Sequence, residues 1–147
     1  MFYESNVSSG SAASLKYNDL TSARRTFRVM IVEDEALIAW DMRTLVEGFG
    51  WSVCGIAPSG ADAVRMAREK RPDVVLMDVR LRGEMDGVEA SRDIAAGQQV
   101  PIIFITGNSD QATEARIRAI HPNAPILSKP VVPAVLRNTM MALLAAS

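Results

Sequence analysis

The strongest constraint on this chain is a rhythm. Five short apolar runs alternate with longer amphipathic stretches. The runs are Val29-Met30-Ile31-Val32, Trp51 to Ala57, Val74-Val75-Leu76-Met77, Ile102-Ile103-Phe104-Ile105 and Ile126-Leu127. Three of them are continuous rather than alternating, the pattern of a strand covered on both faces. Between the first two, Ile38, Met42, Leu45 and Phe49 recur at helical spacing. After the last, Val132, Val135, Leu136, Met140 and Leu143 do the same. Weaker helical stretches run from about Ala61 to Lys70, Asp86 to Ala96 and Asp110 to Ile120. Gly48, Gly50 and Gly97 stand where helices should stop, and Pro72 and Pro101 stand just before strands.

Strand–helix alternation of this kind predicts a parallel sheet with helices on both faces. Five units are too few for an eight-fold barrel. The expected fold is therefore α/β, an open doubly wound sheet of five β–α units, flavodoxin-like, with strand order 2-1-3-4-5. Such sheets bind ligands at the carboxyl ends of their strands, near the switch point between strands 1 and 3. A length of 147 residues suits one domain, and 48% apolar residues can fill a core. The 16 basic and 17 acidic residues leave a formal charge of −1, which gives no electrostatic footprint for nucleic acid. Cys54 is the single cysteine, so no internal disulfide can form, in keeping with a cytoplasmic setting. No apolar run approaches the roughly 20 residues of a membrane span, and the start carries no signal-peptide pattern. Residues 1–27, with six serines and no clear periodicity, are expected to form a flexible N-terminal extension to a domain over 28–147.

The strand ends share an unusual chemistry. Strand 1 runs into Glu33-Asp34-Glu35, strand 3 ends in Asp78, strand 4 in Thr106-Gly107, and strand 5 in Ser128-Lys129-Pro130. Neighbouring strands lie about 4.8 Å apart, so Asp34 and Asp78 are expected to face each other with Glu33 beside them. Clustered carboxylates repel; either a proton is held there or a divalent cation sits between them. Oxygen ligands suit a hard ion such as Mg²⁺. Carboxylates, a metal, the Lys129 cation and a hydroxyl make a constellation suited to phosphoryl transfer onto a carboxylate. Asp78 closes a buried strand, where an ionised group is costly without a function. Glu35 fits a plainer role, capping the first helix.

The segments Val32-Glu33-Asp34-Glu35, Leu76-Met77-Asp78-Val79, Met85-Asp86-Gly87, Ile105-Thr106-Gly107 and Ser128-Lys129-Pro130 resemble the signature of response-regulator receiver domains of two-component signalling. Each motif is weak alone; together, in order and at strand ends, they are specific. The resemblance spans about Phe27 to Leu144. It implies that Asp78 is the phospho-acceptor and that Asp34 and Glu33 hold Mg²⁺, with the backbone carbonyl of Arg80 as a further ligand. It implies that Thr106 and Lys129 contact the phosphoryl group, and that Pro130 follows a cis bond. It also implies a switch rather than a turnover enzyme, a partner sensor histidine kinase or histidine phosphotransfer protein, and an unknown downstream protein. Direct nucleic-acid or membrane binding is not expected. With the last helix running to Ser147, the chain resembles a stand-alone receiver. Its output face, and a homodimer contact, would be helix 4–strand 5–helix 5.

The chain departs from the family pattern in three places. Ile126 stands where many receivers carry an aromatic residue three positions before the lysine, so an inward-turning ring cannot report on Thr106. The loop Val79 to Gly87 is one residue longer than the common form. Gly107 follows Thr106, where alanine is commoner. Rival functions fit less well. A dehalogenase-like phosphatase needs an aspartate where Arg80 stands. A nucleotide or flavin module needs a glycine- or Ser/Thr-rich loop where the acidic Glu33-Asp34-Glu35 stands. A receiver-like module that is never phosphorylated is opposed by the complete residue set. His121 is expected in a surface loop and cannot build a metal site alone; Cys54 is expected to be a small core residue.

Overall fold

A computed structural model describes residues 26–107 and 110–146. The expected extension over 1–27 therefore lies almost wholly outside the described residues. The elements are β1 Arg28–Val32, α1 Ala36–Gly48, β2 Ser52–Ala57, α2 Gly60–Lys70, β3 Val74–Asp78, α3 Gly87–Gly97, β4 Ile102–Thr106, α4 Gln111–Ile120, β5 Ile126–Ser128 and α5 Pro133–Ala146. The strands form one parallel sheet in the order β2-β1-β3-β4-β5. The chain moves outward to β2, returns past β1 to β3, then continues the other way. The reversal falls between β1 and β3, as the alternation predicts.

The continuous apolar runs follow from this layering. Val29 and Ile31 pack toward Met42 and Val46 of α1 and Leu136 and Met140 of α5. Met30 and Val32 point the opposite way, toward Ala63 and Ala67 of α2, Val88 and Ile94 of α3, and Ile117 of α4. Successive side chains of a strand alternate in direction, and here both directions lead into core. Each fully buried large side chain, Leu76 and Phe104 among them, contributes roughly 1.5–3 kcal/mol of burial. Among the described residues, no helix is long and apolar enough to cross a membrane.

Local signals set the helix ends. Ser59 caps α2 by accepting the N–H of Asp62, and Asp110 caps α4 by accepting that of Thr113. Asp86 and Glu89 form a reciprocal capping box on α3. Gly50 adopts φ 97 just past α1, a conformation that favours glycine. Glu35 does sit at the N-cap of α1, but its side chain makes no capping bond; its N–H donates to Glu33 Oε2 instead. α2 ends on Arg71 at φ 48, a left-handed residue that no glycine announces. The Lys129–Pro130 bond is cis. Both edge strands are interrupted: β5 is three residues long between Pro125 and Pro130, and the β1–β2 pairing shifts register at Val29/Met30.

α4 is held differently from the other helices. Ile117 is its one buried residue. Beyond its last turn, His121 is half-buried rather than a plain surface residue: its ring tilts against Phe104, centroids 5.6 Å apart. Its Nε2 lies 3.1 Å from Ser91 Oγ. The Ser91 hydroxyl already donates to the Val88 carbonyl at 2.7 Å, so it accepts from Nε2–H of the neutral ring. Burial lowers the His121 pKa. The folded state therefore binds this proton more weakly than the unfolded chain, and the contribution is complete above about pH 6.5 and lost as pH falls toward the lowered value. Urea unfolding of wild type and His121→Gln at pH 7 and pH 5 should show wild type losing more stability on acidification; equal losses would remove His121 from the account.

Candidate functional site

The sheet order brings the acidic strand ends together. Val32 pairs with Met77, so the next residues along, Glu33 and Asp78, sit level on adjacent strands. Glu33, rather than Asp34, is thus the direct neighbour of Asp78. The two are 6% exposed each. Asp34 lies one residue further on and leans toward the loop after β3, where the backbone N–H of Arg82 donates to its Oδ2 at 3.0 Å. One carboxylate oxygen from each of Glu33, Asp34 and Asp78 lies within 4.8 Å of the others.

Lys129 relieves part of the repulsion. It follows β5, two strands away from β3, and its N–H donates to the Thr106 carbonyl at 3.0 Å, which fixes its backbone at the end of β4. Its Nζ donates to Asp78 Oδ2 at 3.0 Å and Glu33 Oε1 at 3.2 Å. Burial pulls the lysine pKa down, but the bonds and charge of Asp78 and Glu33 outweigh it and raise the pKa above its usual value. Burial pushes the Glu33 carboxyl up; the Glu35 N–H pulls back, the Asp78 charge adds to the rise, and Lys129 opposes it. The other oxygen of Asp78, Oδ1, accepts the N–H of Arg80 at 3.2 Å. Both oxygens of Asp78 are therefore oriented.

Of the residues picked out in the sequence, Glu33, Asp34, Asp78 and Lys129 converge directly. Arg80 joins through its backbone, and Thr106, buried at the end of β4, joins through Lys129. Ile126 lies half-buried on the α2–α4 side of the sheet, with no ring to turn. Two contributors were not assigned from sequence. Arg82 supports Asp34 with its N–H, and its exposed guanidinium Nε lies 3.6 Å from the same oxygen. Gly87 lies against the backbone of Asp78: a Cβ there would overlap the Asp78 carbonyl, and its N–H donates to Val79 O at 2.8 Å. The Asp86-Gly87 pair, followed by Glu89, carried a capping signal that marked this close approach only indirectly. The donor set, three carboxylates around a shared point, fits a hard divalent cation.

The family model of the response regulator receiver domain matches residues 29–141. The chain belongs to this family. Its receiver resembles the Phyllosphere-induced regulator PhyR of Methylorubrum extorquens, with 44% identity over 79 residues, covering 53% of this chain and 30% of that protein. It also resembles the transcriptional regulatory protein PdtaR of Mycobacterium tuberculosis, 37% identical over 91 residues, covering 62% of this chain and 44% of that one. The chain thus spans less than half the length of these two relatives. Among solved structures, the receiver domain of a Pseudomonas aeruginosa sensor histidine kinase is 30% identical with a TM-score of 0.73, covering 82% of this chain and 99% of that one. That structure has a magnesium ion coordinated in its active-site cleft.

Removing Lys129 would leave two buried carboxylates uncompensated. Lys129→Met should destabilise the receiver by about 3 kcal/mol in urea without divalent cations. Added Mg²⁺ should restore more stability to the variant than it gives wild type, through selective binding to the folded state.

Proposed function

We propose that this receiver is a signalling switch that takes a phosphoryl group onto Asp78 from a phosphohistidine, and is not a turnover enzyme. The observation that carries this reading is the Lys129 ammonium bonded to both Glu33 and Asp78, with Arg80 N–H on the second Asp78 oxygen. A carboxylate held this way is oriented as an in-line nucleophile.

An Asp78 oxygen attacks the phosphorus of the donor. The new O–P bond forms as the N–P bond to the histidine ring breaks, and the electron pair leaves with the ring nitrogen. Lys129, released from full pairing with Asp78, donates to an oxygen of the transferred group, and the Thr106 hydroxyl donates to another. Glu33, Asp34, Asp78 and the Arg80 carbonyl would hold Mg²⁺, which when bound neutralises the charge on the phosphoryl oxygens. Hydrolysis by water returns free Asp78 and inorganic phosphate.

The donor is a sensor histidine kinase or a histidine phosphotransfer protein. Leu37 and Trp40, 81% and 61% exposed, follow the acidic segment directly on α1 and offer apolar surface beside the cleft. The exposed Val132, just before α5, and Val135, in its first turn, offer a second such surface for an output partner.

Incubation with Mg²⁺ and a small acyl phosphate should add one phosphate-sized increment to the intact mass. The increment should vanish in Asp78→Asn and shrink in Asp34→Ala. A folded wild-type protein that gains no mass from either the small donor or a phosphohistidine protein would make this a binding module instead.

A further inference from the structure

Ile126 has no aromatic ring with which to link the acceptor site to α4. The structure offers a different connection. Arg116 of α4 places Nη2 2.9 Å from Asp86 Oδ2 and 3.1 Å from Asp86 Oδ1. Asp86 closes the loop after Asp78, and it is fixed from both sides. Its N–H donates to Glu89 Oε1 and its Oδ1 accepts the N–H of Glu89, both at 2.9 Å. The next residue, Gly87, bonds Val79 O and packs on the Asp78 carbonyl. A shift of Asp86 is therefore transmitted to the backbone of the acceptor itself. Charge at the other end of the loop also acts on the cap of α4. The Asp110 carboxyl, the cap of α4, lies below its usual range chiefly because the Thr113 N–H bonds it, and the charge of Arg80 adds to the effect.

We propose that Arg116 is a positioning residue: through Asp86 it ties α4 to the loop of residues 79–86, and so couples the exposed face of α4 to what Asp78 carries. The tie is electrostatic and half-exposed, with side chains 47% and 31% accessible, so it adjusts an equilibrium rather than building the core. α4 contributes one buried residue, Ile117, so little apolar packing competes with the tie in deciding where the helix sits. Coupling of this kind is reciprocal: a change at Asp78 that moves the loop shifts α4, and a partner bound to α4 shifts the loop. The signalling consequence rests on the phospho-acceptor reading; the tie itself does not.

The test uses the 147-residue chain in five forms: wild type, Arg116→Ala, Arg116→Lys, Asp86→Asn and the Arg116→Ala/Asp86→Asn double variant. Asparagine keeps the capping oxygen of α3 and removes the charge. The first measurement is amide hydrogen exchange in metal-free protein at Arg80, Arg82, Asp86 and Gly87, whose N–H groups are all bonded. Arg116→Ala should speed this exchange about two- to fivefold, the range a half-exposed ion pair supplies. Asp86→Asn should match it, and the double variant should be no worse than either single one. Arg116→Lys should stay near wild type, because one nitrogen makes both contacts. Calorimetric Mg²⁺ affinity should fall by a similar factor in Arg116→Ala. Saturation with Mg²⁺ and beryllofluoride should change α4 exchange in wild type and much less in Arg116→Ala. Wild-type loop exchange and Mg²⁺ affinity in Arg116→Ala would overturn the proposal, as would a lysine variant as impaired as the alanine one. Faster loop exchange in Arg116→Ala, with a wild type that never takes phosphate, would uphold the tie and remove only the phospho-acceptor reading.

Discussion

The interaction on which the rest of this molecule depends is one ammonium group between two buried carboxylates. Glu33, just past β1, and Asp78, the last residue of β3, sit level on adjacent strands, and both are buried. Lys129 arrives from beyond β5 and closes the gap. The strand order is what makes this possible, because β1, β3, β4 and β5 lie side by side and deliver their ends to one edge. The arrangement leaves net negative charge, since Asp34 joins the same cluster. A folded scaffold that tolerates this excess is primed for a divalent cation or a transferred anion held through one.

The two faces of the sheet are built in different ways. Toward α1 and α5 the packing is aliphatic, with Leu136, Met140 and Val46 fully buried. Toward α2 and α3 it relies on small residues, Ala63, Ala67 and Ala90, that let the helices approach closely. α4 departs from both schemes. It relies on Ile117, on His121 against Ser91 and Phe104, and on Arg116 against Asp86. Contacts of this kind titrate with pH, are screened by salt and respond to ligand charge, whereas apolar side chains carry no charge to titrate or screen.

Most of the fold was legible because the apolar runs are short, separated and continuous. Boundaries fell within a residue or two wherever a capping residue or a glycine marked them, as with Ser59, Asp86 and Gly50. The end of α2 was less visible, since Arg71 takes a left-handed conformation without being glycine or asparagine. In the site, the residue types at the strand ends were enough to bring Glu33, Asp34, Asp78 and Lys129 together. Their mutual placement was not legible: strand register decides that Glu33 stands level with Asp78, and register depends on pairing that a single sequence does not display. The roles of Arg82 and Arg116 were hidden for a related reason. Exposed arginines are common, and only the path of the loop from Val79 to Asp86 brings an acidic partner to each.

The sheet's two margins have a consequence of another kind. β5 offers three residues between prolines that lack N–H donors, and β2 meets β1 through a register shift. Neither margin presents a long regular ladder to a neighbouring molecule. A parallel sheet this rich in valine and isoleucine is an aggregation hazard when its rim is open, and here the rim is blunted on both sides. Strand addition between folded copies is thereby disfavoured, and what the described residues offer a partner is helix surface, where side chains rather than backbone would choose it.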